Sequence, residues 1–253
     1  MLTGPFVWEF NVKFQDPFLA VINGDLAHQD VDVLVDTEDA KPDWFTASSR
    51  HLDRVSEPQE AWDRMTALVR LCRSAYAIRG KAFEFSLADV HKTGSPSVEN
   101  VNADDSGLLF PFDERLCRAQ RNGFILRQAS GEASACWLFV SRYDPIVLSV
   151  LNFVGMAGLN WVTLYALMEF CTHCGWSKVR LQQVGAIDGD SSWLNRFTHT
   201  ANSFEAIGPL SRHGPKGQQP PKNEMSQPEA QKRILACIRV LLKERVDAFA
   251  ESL

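Results

Sequence analysis

Three short signatures that announce a reaction are absent from these 253 residues. The phosphate-cradling Gly-x-x-x-x-Gly-Lys-Ser/Thr is missing, as are the Gly-x-Ser-x-Gly of serine hydrolases and the His-Glu-x-x-His of zinc peptidases. Glycine and proline number 15 and 12, too few for a low-complexity or collagen-like polymer. Base is not in excess either. The 26 Lys and Arg face 31 Asp and Glu for a formal charge of −5, which argues against coating nucleic acid or anionic membrane, since both draw on clustered cations. The 6 cysteines are sparse for this length. Met1-Leu-Thr-Gly-Pro-Phe-Val-Trp-Glu9 also lacks a basic leader followed by an apolar run, so free thiols in a reducing, cytoplasmic setting are expected.

What is present is an ordinary globular composition, 45% hydrophobic and 23% charged, with length for one large domain or two small ones. Its charge is uneven. Residues 1–60 carry twelve acids against four bases, residues 61–253 nineteen against twenty-two, and the stretch 176–245 six against eleven. An acidic front and a mildly basic back describe two units with different partners, or simply two solvated surfaces. One run raises the question of a membrane: the 24 residues Pro145–Met168 are uncharged, enough to cross a hydrocarbon layer of roughly 30 Å. Asn152, Asn160 and Gly155-Met-Ala-Gly158 interrupt it, with Asn160 placed to cap a second helix. Two short helices packed as a buried hairpin, with no membrane, are therefore expected.

Phe6–Phe14 alternates, with Phe6, Trp8, Phe10, Val12 and Phe14 on one face of a strand. Asn23-Gly24 marks a hairpin after Phe18–Ile22, and Val31–Val35 gives a third strand. Asp36–Arg54 reads as a loop. Ser56 opens a helix with Pro58 in its first turn; Trp62, Met65, Leu68, Val69, Cys72 and Tyr76 form one apolar stripe, and Gly80 ends it. Lys81–Val90 resumes as a strand, with Phe83, Phe85 and Leu87 alternating. His91–Gly107 is a soft loop, Leu108–Phe112 a short strand, and Glu114–Asn122 a helix whose Arg115, Arg118 and Arg121 make a solvated basic edge. From Tyr143 the chain turns helical. Segments are expected at 145–154, 160–172 and 191–203, followed by a Gly- and Pro-rich loop at 208–222. A last helix then opens on the capping box Ser226-Gln-Pro-Glu229. The fold class is α+β: a β-rich unit over 1–112 with one packed helix, a connecting segment over 113–142, and an all-α bundle over 143–253.

Cys171-Thr-His-Cys174 has ligand spacing, so Cys171, Cys174 and His173 are a candidate zinc set, with His199 and His213 elsewhere in the helical half. A closed zinc site needs four ligands and no second Cys-x-x-Cys follows, so the pair reads as two thiols closing a helix, with no metal and no cofactor expected. The acids Asp25, Asp30, Asp32, Asp36, Glu38 and Asp39 lack the ordered spacing and central glycine of a calcium loop, and read as strand-edge solvation.

Polar groups gather instead at Arg196-Phe-Thr-His-Thr-Ala-Asn202 and Ser211-Arg212-His213-Gly214, between apolar helices. With the loop, Pro220-Pro221 and the capped final helix, residues 143–250 resemble HEPN-type domains of bacterial defence and toxin systems. They are also similar to bacterial proteins that place a β-rich front before such a region. In that family four to six residues separate an Arg from the His that follows it. Here Arg212 and His213 are adjacent, and two residues separate Arg196 from His199. The resemblance implies metal-independent RNA cleavage in a homodimer. His213 would move the proton at the 2′-hydroxyl or leaving oxygen, Arg212 would hold the phosphate, and Asn202 would orient them. The competing reading is a non-enzymatic interaction module, in which the acidic front docks a protein partner and the Arg–His pair is structural.

Overall fold

The alternating run near the N-terminus becomes an inner strand of a sheet. The computed structural model describes residues 5–14, 31–35, 45–81, 85–121, 133–217 and 219–253. Strands β1 (Trp8–Phe14), β2 (Asp32–Val35), β3 (Phe45–Ser48) and β4 (Phe85–Lys92) pair antiparallel in the order β2-β3-β1-β4. Trp8, Phe10 and Val12 are buried as their alternation predicts, and Phe10 lies opposite both Ala47 and Val90. The Asn23-Gly24 hairpin, Phe83 and the acids Asp25, Asp30, Asp36, Glu38 and Asp39 lie outside the described residues.

Three local expectations change. Residues 45–48, read as loop, form β3, because both of its edges are hydrogen-bonded and Phe45 and Ala47 are buried; pairing makes this strand, where local propensity does not. In β4 the register jumps from Asn11↔Asp89 to Val12↔Leu87. The extra residue, Ala88, is a bulge that reverses the side-chain phase, so Phe85 and Val90 are the buried pair. Residues 108–112 do not join the sheet.

Helix α1 (Pro58–Ile78) ends as its sequence predicts. Gly80 takes φ 75°, its N–H meets the Ala77 carbonyl at 2.9 Å, and the Lys81 N–H meets that of Tyr76 at 3.0 Å, a Schellman closure that needs the left-handed residue. Burial is wider than one stripe: Ala67, Leu71, Ser74 and Ile78 are enclosed along with Trp62, Met65 and Leu68. Trp62 faces Phe10 of the sheet at 6.2 Å, while a helix absent from the sequence reading, α3 (Ala133–Val140), packs on α1 and receives the Arg79 guanidinium at Ser134 (3.0 Å). Between them α2 (Glu114–Gln120) starts on Asp113, whose carboxylate accepts the Leu116 N–H at 2.7 Å. Asp113 in turn donates its own N–H to Nδ1 of buried His51 at 3.0 Å.

The chain divides into two compact units, Met1–Leu148 with Phe249–Leu253, and Ser149–Ala248. Helix α4 (Pro145–Ala157) gives way at Gly158, φ 69°, to α5 (Trp161–His173), whose cap Asn160 accepts the Thr163 N–H at 3.1 Å. The uncharged run is thus two helices, as expected. Among the described residues no single helix is long and apolar enough to cross a membrane; α3 and α4 reach that length only as a pair bent by 112°. Helices α6 (Lys178–Gly185), α7 (Trp193–Ala201), the single turn α8 (Phe204–Ile207) and α9 (Gln227–Glu251) follow. Phe197 of α7 gathers the aromatic core of the second unit, with Trp161, Tyr165 and Trp193 at 5.9, 6.1 and 6.4 Å. The class is α+β: a small antiparallel sheet toward the N-terminus and a helical C-terminal region.

Candidate functional site

The polar residues singled out in the sequence surround the C-terminal end of α7. The helix stops at Ala201 with Asn202 as its cap. Ser203 then starts α8 by accepting the Ala206 N–H at 3.3 Å, and Gly208, at φ 61°, turns the chain back. Arg212 returns to donate its backbone N–H to the Ala201 carbonyl at 2.9 Å, satisfying one of the acceptors that a helix end leaves open. The loop is therefore docked on α7 by its backbone, and Arg212 lies beside the turn that carries Asn202.

The Arg212 guanidinium is engaged by α5. Tyr165 and Glu169 stand one helical turn apart, so they share a face. Nη1 of Arg212 donates to the Tyr165 hydroxyl at 2.9 Å, its Cζ lies 4.7 Å from the Tyr165 ring centroid, and Nη2 is 3.5 Å from Glu169 Oε1. The pair is half exposed, so its energy is small, but the three contacts fix where the cation points. His213 is exposed, and its carbonyl accepts the Ser211 hydroxyl. Asn202 contributes an enclosed Oδ1 that has no hydrogen-bond partner among the described residues.

Arg196, the other arginine of the motif, belongs to an ion cluster. It donates to Asp190 at 3.0 Å and to both oxygens of Glu229 at 3.1 Å, and the Glu229 hydrogen bond raises its pKa above the ordinary value. Glu229 was expected to complete a capping box. Ser226 does accept the Glu229 N–H at 3.3 Å, but the Glu229 carboxylate is taken by Arg196 and by Arg233, which donates to it from Nε and Nη2 at 3.1 and 3.0 Å. Arg233 also reaches Asp188 (2.9 Å), Asp190 (3.5 Å) and the Gly185 carbonyl (3.1 Å). The sequence reading missed Tyr165, Glu169 and Arg233. Their signals were a Tyr four residues before the first charge after the uncharged run, and an Arg at the buried spacing Ala230, Arg233, Cys237, Leu241.

The Cys-x-x-Cys pair closes α5. Cys171 is buried, Cys174 half-buried and His173 exposed. Burial pushes the Cys171 thiol up to about 12, with Cys237 and Cys174 adding to the effect, and burial likewise pushes Cys72 and Cys237 to about 12. Among the described residues no group of three or more His, Cys, Asp or Glu is placed to hold a metal. Thiolate is the reactive form, so Cys72, Cys171 and Cys237 are expected to resist a disulfide reagent at pH 8 in the folded chain and to react fully in urea. Rapid labelling of all three without denaturant would contradict their enclosure.

Comparison with protein-family models, curated proteins and solved structures finds no match to this chain.

Proposed function

We propose that the chain is a non-enzymatic protein-interaction module, with the helical unit as a rigid scaffold and the acidic N-terminal stretch as the surface that docks a basic partner. The observation that carries this reading is the Arg212 guanidinium, held by the Tyr165 hydroxyl, the Tyr165 ring and Glu169. A cation that must receive a scissile phosphate works best when its donors are directed at the place where charge develops. Here part of its donor set and charge is answered by α5, and its backbone N–H by the end of α7. Arg196 is answered likewise, by Asp190 and Glu229. The acidity of residues 1–60 supplies the complementary feature, a field that attracts a basic surface and speeds encounter.

The HEPN-like reading, a metal-independent endoribonuclease acting as a dimer, is the second proposal. It draws on the unpartnered Oδ1 of Asn202 beside the Arg212 backbone and on the exposure of His213. One assay separates the two. Purified chain and His213→Ala are incubated with a broad RNA panel in chelator. The module reading expects both to leave RNA uncut over the buffer control. Metal-independent cleavage by the intact chain, lost in a His213→Ala variant that melts at the same temperature, would replace it with the nuclease.

A further inference from the structure

The connection from β4 to α2 runs over 93–113 without helix or strand, a length at which irregular chain is usually either functional or disordered. This one is fixed. Gln59 and Asn102 exchange hydrogen bonds of 3.1 and 2.8 Å. Arg70, almost fully buried in α1, grips both oxygens of Asp105 at 2.6 Å and donates to the Leu108 carbonyl. At the far end Phe112 is buried edge-on against His51, with ring centroids 5.2 Å apart. Between these anchors the chain turns Leu109 and Phe110 outward, 54% and 39% exposed, and the Phe110 ring rests on Phe112 at 5.3 Å. A contact surface whose backbone is already in place loses less entropy on binding.

Helix α2 follows at once and exposes Arg115, Arg118 and Arg121. Steps of three make successive arginines neighbours, spread over about 9 Å of helix. Among the described residues none of the three meets a carboxylate, although acids outnumber bases in the chain; Arg196, Arg212 and Arg233 are all ion-paired. Arg121 lies instead 6.0 and 5.6 Å from the ring centroids of Tyr143 and Phe249, which directs its guanidinium. The Tyr143 hydroxyl ties that stack to α2 by donating to the Cys117 carbonyl at 2.6 Å. An aromatic anchor with arginines beside it is the composition that protein interfaces favour.

We infer that Leu109, Phe110 and the three arginines form a docking surface for an acidic, amphipathic peptide segment of another protein. Its apolar side chains would cover Leu109 and Phe110, and its carboxylates would meet the arginines. Charge complementarity sets the sign of the occupant. Its class follows from the rest of the surface: three cations neutralise few phosphates beside the roughly six to ten that firm binders of nucleic acid contact. A chain of net charge −5 also repels a long polyanion, and aliphatic Leu109 has no face on which a base stacks. This surface is opposite in sign to the acidic stretch and draws on no residue of the Arg212 loop, so it stands or falls apart from the module reading.

The test titrates the full chain with a fluorescein-labelled decapeptide, Glu-Glu-Leu-Phe-Glu-Glu-Leu-Leu-Glu-Glu, with the same peptide carrying Ser for Leu and Phe, and with a labelled uridylate decamer. Binding is read by anisotropy and by the backbone amide resonances of 109–121 in a ¹⁵N-labelled sample. The first peptide is expected to bind saturably and to move those amides. Its affinity should fall about tenfold in R115Q/R118Q/R121Q and in Phe110→Ser, the scale that a few exposed charge pairs or one interface anchor supply. The serine peptide should bind more weakly by a similar factor. Lack of saturable binding by the first peptide would overturn the surface, as would full affinity in either variant or full affinity for the serine peptide. Tighter binding of the uridylate decamer would replace the peptide with nucleic acid. Because the amides are read in the unmodified chain, a variant that fails to fold cannot decide the matter: saturation with the 109–121 amides unmoved also overturns the surface.

Discussion

Arg233→Met is expected to lower the unfolding free energy by about 3 kcal/mol, the low end of what removing one partner from a buried ion pair costs, because its carboxylates are partly solvated. Arg233 is 2% exposed and leans on three carboxylates and on the Gly185 carbonyl. Methionine keeps much of the volume, so the loss reads charge and hydrogen bonding more than a cavity. The size of the loss should depend on pH in a stated direction. Asp188 lies below its ordinary 3.8, held there first by the Asp190 backbone N–H and then by Arg233; Asp190 is lowered first by the Ser192 hydroxyl and N–H and then by Arg196 and Arg233. Carboxyls with depressed folded-state values stabilise fully above the unfolded-state value and lose that contribution as pH falls through the folded one. Urea titrations should therefore show the full deficit of Arg233→Met at pH 7 and a smaller one well below pH 3.8. An equal deficit at both would mean that the cluster does not carry the effect.

Gly185→Ala is expected to destabilise by about 3 kcal/mol, the upper part of the usual overpacking range. Gly185 ends α6, and a Cβ built there falls 2.1 Å from Cζ2 of Trp193 and 2.5 Å from Cε2. The indole cannot retreat cheaply. It is fully buried, its N–H donates to the Gln182 carbonyl at 2.9 Å, and Phe197 backs it. The rescue is specific: Trp193→Phe removes the atoms that clash, so G185A/W193F should lose less than the sum of its single variants, by more than 1 kcal/mol, as residues in direct contact do. Additive losses would show that the close approach is not the cause.

Both predictions concern residues whose importance the amino-acid pattern only half discloses. Gly185 is one of 15 glycines, and nothing near it in sequence separates it from the turn-forming glycines at 80, 158 and 208. Its role comes from Trp193, which arrives after a turn and a change of direction. Arg233 could be suspected, since a charge at a buried helical spacing must be answered by other charges. Glu229, four residues earlier on the same helix, is the one answering charge that helical spacing discloses; Asp188 and Asp190 could not be read, because they reach Arg233 from a turn more than forty residues away.

The same division runs through the candidate loop. A polar cluster between apolar helices is visible in the sequence, and so is a Gly-rich turn that lets it fold back. That Arg212 spends its guanidinium on Tyr165 and Glu169 is decided by α5, forty-odd residues away.

What the sequence by itself determined is what local physics can fix. Alternation placed Trp8, Phe10 and Val12 on one face; Gly80 stopped α1; Asn160 and Gly158 broke the uncharged run into two helices; and apolar spacing set the buried side of α9. Each follows from backbone geometry and side-chain periodicity within one or two turns. Tertiary structure decided what depends on a distant partner. A four-residue segment became β3 because β1 and β2 both bond to it, and the bulge at Ala88 turned Val90 inward. The wide buried face of α1 required α3, and the enclosure of Arg233 required carboxylates from the 188–190 turn. Contacts of this kind close long loops, and their free energy resides in pairings that no short window of sequence contains.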